Sequence, residues 1–190
     1  MVSPETKKYR QKRAPKPLDK AKLNDLALSY VARFATSSAK LEAYLLRKLR
    51  ERGVAEESEP IEVRTIVERL VELNYIDDEA YAQAKAGGLL RRGYGARRVD
   101  QALRGAGIEA DVREDVAPNE ATARHAALAM TQKRRFGPFG TELPDRALRE
   151  KQLAALVRAG HSFDVARKLV EATNADEVEE WAYELDEDYE

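Results

Sequence analysis

The residues of this chain whose types could support chemistry are two histidines, one aspartate pair, one serine pair and a glycine-rich turn. His125 and His161 have no Asp or Glu clustered at ligand spacing. A metal site needs three or four converging donors, so each histidine reads as a surface or capping residue. Asp77–Asp78 could suggest paired acids, but adjacent residues at a helix start point in different directions, and capping accounts for both. Ser37–Ser38 has no nearby histidine to act as its base. Arg92-Gly93-Tyr94-Gly95-Ala96 carries the glycines of a phosphate-binding turn without the preceding strand or a third glycine, and no Gly-x-x-x-x-Gly-Lys-Ser/Thr loop occurs elsewhere. A break between helices accounts for it. The absence of cysteine removes disulfides, thiolate metal sites and cysteine nucleophiles. The expectation is a protein with no catalytic residue, no metal and no cofactor.

What remains is charge carried on helices. Arg91, Arg92, Arg97, Arg98 and Arg104 crowd the glycine-rich break, and Lys133, Arg134 and Arg135 stand beside Phe136. Arg33, Arg47, Lys48, Arg50 and Arg52 form a third group nearer the start. Such clusters can neutralise phosphates, and Tyr94 and Phe136 could stack on unpaired bases. Basic residues near helix ends also complement the helix dipole, so each cluster can equally be a solvated face. The candidate partner-binding or nucleic-acid-binding residues are therefore Arg91, Arg92, Arg97, Arg98, Arg104, Lys133, Arg134 and Arg135.

The elements that position these groups read as helices throughout. Leu23, Leu26, Ala27, Tyr30, Val31 and Phe34 recur at helical spacing. A second helix, which Ser38 can cap, presents Leu41, Tyr44, Leu45 and Leu49 and stops at Gly53. A third, after Pro60, carries Val63, Ile66, Val67, Leu70 and Val71. Six more follow, starting near Glu79, before Val99, at Asp111, near Asn119, at Asp145 and after Ser162. No segment alternates apolar and polar residues with β-branched enrichment, so no sheet is expected. Leucine-bearing helices end at Gly53, Gly107 and Gly160 at a nearly constant interval, with Leu49, Leu103 and Leu156 four residues before each glycine. That periodicity predicts an all-α chain of tandem three-helix repeats, each packing on its neighbours. The expected division is a flexible basic arm (1–21), three-helix units at 22–76, 77–118 and 119–172, and an acidic tail (173–190).

A formal net charge of only −1 hides opposite ends. Lys7, Lys8, Arg10, Lys12, Arg13, Lys16, Lys20 and Lys22 lie in the first segment, and Asp176, Glu177, Glu179, Glu180, Glu184, Asp186, Glu187, Asp188 and Glu190 in the last. Both can be interaction tails or solvated termini. Within the tail, Val178, Trp181, Ala182 and Leu185 share one helical face. That face could dock on a partner, fold back on the chain's own basic residues, or fray. No stretch nears the roughly 18 apolar residues of a membrane span, and the start lacks an apolar signal core, so a soluble intracellular protein is expected.

Asn74-Tyr75-Ile76-Asp77-Asp78-Glu79-Ala80-Tyr81-Ala82 resembles the signature turn of the RecX family. Tyr30-Val31-Ala32-Arg33-Phe34, followed by Leu45-Leu46-Arg47-Lys48-Leu49 and Gly53, is similar to that family's first motif. Arg92-Gly93-Tyr94-Gly95 with Leu103, Gly107 and Ile108 resembles the middle one, and Arg134-Arg135-Phe136-Gly137 with Leu156, Gly160 and Ser162 the third. The resemblance covers about residues 22–172. His161 departs from the aromatic residue common there, Gly137–Pro144 is longer than usual, and the acidic tail lies outside the family core. It makes Tyr75, Asp77, Asp78, Tyr81, Gly53, Gly107 and Gly160 structural residues of the motifs. It also implies an elongated, curved, cytoplasmic protein without catalysis. Such a protein, expected as a monomer, binds the RecA filament, modulates its ATPase and strand-exchange activities in DNA repair, and in some cases contacts single- or double-stranded DNA. The alternatives are a helical DNA-binding module acting without RecA, and a scaffold unconnected with recombination.

Overall fold

A computed structural model describes residues 16–56 and 60–186. Lys7 to Arg13 and Glu187 to Glu190, expected as charged extremities, lie outside the described residues. Ten α-helices follow one another with no strand among the described residues: α1 (Lys20–Val31), α2 (Ser38–Arg52), α3 (Val63–Glu72), α4 (Asp78–Leu90), α5 (Ala96–Arg104), α6 (Ala110–Asp115), α7 (Glu120–Arg134), α8 (Arg146–Arg158), α9 (Phe163–Glu171) and α10 (Ala175–Tyr183). A single turn of 3₁₀ helix, Gly137–Phe139, occupies part of the long segment before α8.

The apolar stripes sort the helices into triplets. In α3, Val63, Ile66, Val67 and Leu70 are buried at i, i+3, i+4 and i+7, the face a helix lays on a core. They meet Leu23 and Ala27 of α1 and Leu41 and Leu45 of α2 in one cluster that also holds Ile76. A second cluster joins Ala82, Ala86 and Leu89 of α4 to Val99 and Leu103 of α5, with Val112 and Val116 packed on its edge. The third triplet has two: Ala127, Leu128 and Leu169 with α10, and Met130, Leu156, Ala159, Ala166 and Val170 with α8. A chain of separate small cores is what stacked units produce, because each buries its apolar face locally and meets only its neighbours.

Two boundaries differ from expectation. The helical spacing extended to Phe34, but α1 ends at Val31 and Phe34 is exposed. Its ring lies 5.3 Å from that of Tyr30, outside the core. The arm expected to run to residue 21 becomes ordered earlier. Leu18 is fully buried, exchanges backbone hydrogen bonds with Gly53 and Ala55, and forms an isolated parallel bridge with Val54. Asp19 then caps α1 by accepting from Lys22 N at 2.8 Å. The physical reason is that Leu18 supplies apolar area to the first cluster, and this outweighs the basic composition around it.

The triplets meet end on, through the second helix of each. At the start of α5, Gly95 N donates to Ala159 O at 2.9 Å and Arg97 N to Gly160 O at 3.2 Å, so the orphan amides of one helix meet the orphan carbonyls of α8. At the start of α2, Ser37 Oγ donates to Ala106 O at 2.5 Å, while Ala39 faces Gly107 just past α5. The same device is used twice: a helix start seated on a leucine–glycine helix end. Gly107 and Gly160 both have positive φ, +71° and +101°, and a Cβ at either would clash with the neighbouring triplet, with Ala39 at the first and Arg98 at the second. Gly53, at the equivalent end of α2, has nothing within 4 Å of that position, and its carbonyl accepts from Leu18 N instead of from another triplet.

The Asp77–Asp78 pair divides its capping between two triplets. Asp77 Oδ1 accepts from Ala80 N at 2.8 Å and caps its own helix, α4. Asp78 Oδ1 accepts from Ser38 N at 2.9 Å and caps α2 across the joint. Ser38 was expected to cap α2; Ser37 stands at the cap position without a side-chain cap bond, because its hydroxyl is committed to Ala106. Asp78→Ala is therefore expected to cost about 1 kcal/mol, the worth of a cap, and to loosen two triplets together. Thermal unfolding should show a fall of about 2–4 °C; an unchanged transition would remove the cross-joint cap from the account.

Candidate interaction surface

The expected basic residues gather around the joint between the second and third triplets. Arg91 and Arg92 follow α4 directly, and Arg97 and Arg98 lie on the first turn of α5, all exposed. Between them the Gly93-Tyr94-Gly95 turn docks against the third triplet. A Cβ at Gly93 would meet Met130, and one at Gly95 would lie 2.4 Å from Gly160 carbon. The glycines thus serve close approach of this turn to the third triplet.

Lys133, Arg134 and Arg135 reach the same neighbourhood from the end of α7. Tyr94 and Phe136 both pack on the cluster of Met130, Leu156 and Val170. They were expected as possible stacking platforms for bases. Both are half-buried, and one face of each carries a guanidinium: Arg92 lies 5.7 Å from the Tyr94 centroid and Arg134 6.0 Å from that of Phe136. The aromatics anchor arginines over the joint and are poorly placed to stack on a base.

Arg104 is set apart from this group. Its Nε lies 2.8 Å from Asp100 Oδ2, while Arg113 Nε holds the other oxygen of Asp100 at 3.0 Å. With Arg97 they line a groove between α5 and α6 that Val99, Ala110 and Pro118 also border. Arg113 was not singled out in the sequence because it stands alone on a six-residue helix. Spacing could not show that α6 folds back beside Asp100.

The remaining motif residues divide by role. Tyr81 is half-buried and its hydroxyl accepts from Lys40 Nζ at 2.6 Å, a bond across the first joint. Tyr75, expected to be structural, is 59% exposed and outside the core. Asn74 adopts φ +57°, and Ile76, not Tyr75, turns into the core after it.

His161 corrects a further expectation. It is buried, not a surface or capping residue, and its Nε2 lies 3.0 Å from Gly93 O, where the neutral ring can donate. Burial is the main influence and pushes its pKa below the ordinary 6.5; the Gly93 bond opposes that. Below pH 6.5 the unfolded chain takes up a proton that the folded joint resists, so stability present above that pH is lost as pH falls. His161→Gln should flatten the pH dependence of unfolding free energy between pH 6.5 and 5 relative to wild type. Parallel curves for the two proteins would exclude His161 as the source.

His125 is half-buried on α7, with its ring 4.8 Å from Tyr183 and Nε2 3.2 Å from Asp186. The acidic segment is thus seen to fold back, as α10, onto the third triplet. Arg124, only 11% exposed, anchors it. Its Nη1 donates to Trp181 O at 2.9 Å and to Glu184 at 3.2 Å, and the guanidinium lies 4.5 Å from the Trp181 centroid. Arg124 stands outside the charge clusters of the sequence because no Lys or Arg lies near it on the chain.

No group of His, Asp and Glu able to hold a metal occurs among the described residues. No described helix is long and apolar enough to cross a membrane.

Comparison with known proteins agrees with this construction. The profile of the RecX second three-helix domain matches residues 77–116, from the α4 cap to the end of α6. Regulatory protein RecX of Myxococcus xanthus is 35% identical over 181 residues, spanning 90% of this chain and 96% of that protein. Regulatory protein RecX of Agrobacterium fabrum is 30% identical over 133 residues, 68% of this chain and 71% of the relative. Among solved structures, RecX from Lactobacillus salivarius superposes with a TM-score of 0.62 at 19% identity, covering 82% of this chain and 96% of that one. A second, described as regulatory protein RecX, gives 0.60 at 23% identity, covering 79% of this chain and 70% of the other. With all-helical triplets, the Asp77–Asp78 turn between the first two, and a relative aligned over nine-tenths of its length, the chain belongs to the RecX family.

Proposed function

We propose that this protein regulates the RecA nucleoprotein filament by binding along it, and that it lowers the filament's ATPase and strand-exchange activities without chemistry of its own. The identity to a regulatory protein RecX across nine-tenths of the chain carries this reading. The exposed Arg91, Arg92, Arg97 and Arg98 around the second joint, with Lys133, Arg134 and Arg135 from α7, supply a cationic band that suits an acidic or phosphate-bearing groove. Three triplets presenting several modest contacts gain affinity through effective concentration. A ligand that prefers one filament state over another shifts turnover by that difference in affinity alone. The protein acts as a cytoplasmic monomer in this reading.

The deciding measurement is RecA-catalysed ATP hydrolysis on single-stranded DNA with and without the protein. The rate should fall by about an order of magnitude at saturation; an unaltered rate, together with failure to co-sediment with filaments, would leave a scaffold unconnected with recombination. A second reading, direct DNA binding, draws on the exposed Arg97 and Arg98 side chains on the second helix of a triplet, the helix from which helix-turn-helix modules make contacts. It requires affinity for naked DNA that falls steeply with salt.

A further inference from the structure

We propose that the groove between α7 and α9 is a docking site for an acidic amphipathic helix of a partner protein, and that α10 occupies it as a stand-in from the same chain. The floor of the groove is Ala127 and Leu128 of α7 and Leu169 of α9. Its rim is cationic: Arg124 on one side and Lys168 on the other both approach the Trp181 ring, at 4.5 and 5.1 Å. The occupant presents the complementary pattern, with Val178 and Ala182 buried, Trp181 between the two cations, and Glu179 and Glu184 bonded to Gln132 and Arg124.

Two features make this occupant exchangeable. It is nine residues long and fully buries only two small apolar side chains, which leaves a helix of marginal independent stability. It is also acidic, and α7 and α9 are held together without it by a separate cluster in which Met130 meets Ala166 and Val170, so its departure uncovers Ala127, Leu128 and Leu169 while that cluster stays closed. The chemistry recognised is specific: two carboxylates five positions apart, about one and a half helical turns, and an indole or similar ring between a guanidinium and an ammonium.

The test uses the full chain and a labelled peptide of residues 173–186 as the probe. Val178→Asp with Ala182→Asp in the full chain evicts α10 while leaving α7 and α9 unaltered. Because a groove that is filled most of the time binds a second helix only in its open fraction, this variant should bind the peptide about tenfold more tightly than wild type. The peptide carrying the same two substitutions should bind neither protein, and Arg124→Glu in the evicted variant should abolish binding. Equal affinity of wild type and evicted variant overturns the proposal. So does loss of hydrogen-exchange protection throughout α7 and α9 in that variant, since α10 would then be part of the core. A wild-type protein that sediments as a concentration-dependent dimer with α10 exchanged between copies would overturn the assignment to a different partner.

Discussion

Gly95→Ala should unfold at a temperature on the order of 10 °C below wild type, although an alanine is normal at its backbone angles (φ −84°, ψ 172°). Conformational strain is thus no part of the effect. The cost is steric, because the added Cβ would lie 2.4 Å from Gly160 carbon and oxygen and 2.5 Å from His161 nitrogen, all backbone that cannot rotate away. Overpacking of this kind costs about 1–3 kcal/mol, and the rigidity of both sides places it at the upper end. Relief requires α5 to lift off α8, which also breaks the Gly95–Ala159 and Arg97–Gly160 hydrogen bonds. Gly88→Ala supplies the opposite sign. Gly88 lies within α4 with nothing within 4 Å of a Cβ, so alanine should stabilise by about 0.5–1 kcal/mol through the unfolded state. Calorimetry of the two variants checks both, and coincident melting of Gly95→Ala with wild type would mean that α5 does not sit on α8 in solution.

Charge reversal at Arg97 and Arg98 should separate function from folding. Both side chains are exposed, and the one described bond of their guanidinium groups is Arg98 to Gln101 at 2.8 Å. Surface changes of this kind alter stability by about 0.5 kcal/mol or less. On a filament groove, each reversal replaces an attraction worth up to about 1 kcal/mol with a repulsion, so the pair should weaken filament binding on the order of 30-fold or about 2 kcal/mol. Inhibition of RecA ATP hydrolysis should shift by that factor with the melting temperature unchanged. Full potency in the Arg97→Glu/Arg98→Glu variant would remove these residues from the contact surface. The same substitutions at Arg104 should do less, because Asp100 already neutralises part of its charge at 2.8 Å.

The periodicities that fill each core were legible in the sequence because they are local. Val63, Ile66, Val67 and Leu70 can be placed on one face by counting, and so can the leucine–glycine helix ends. The glycines were visible as breaks, but their purpose was not: nothing near Gly95 in the chain announces that Gly160 will lie against it. Ser37 and Asp78 show the same limit. Each is a good cap by type, and each is committed to a different triplet from the one its neighbours suggest. The burial of His161 and Arg124 has no local signal, because it depends on contacts across long separations in the chain. The charge clusters gave the opposite error. Tyr94 and Phe136 stood beside arginines in sequence and suggested stacking on bases, while their rings were already required in the core at the joint.

Seating the start of α2 on the end of α5, and the start of α5 on the end of α8, gives the protein a head and a tail. Each joint sets the positive end of one helix against the negative end of the next, and one extremity closes with Leu18 on Gly53 while the other begins at Asp145. Turning the molecule end for end does not reproduce it. On a track whose own subunits all point one way, such an object fits in one orientation only, so neighbouring copies would follow each other nose to tail.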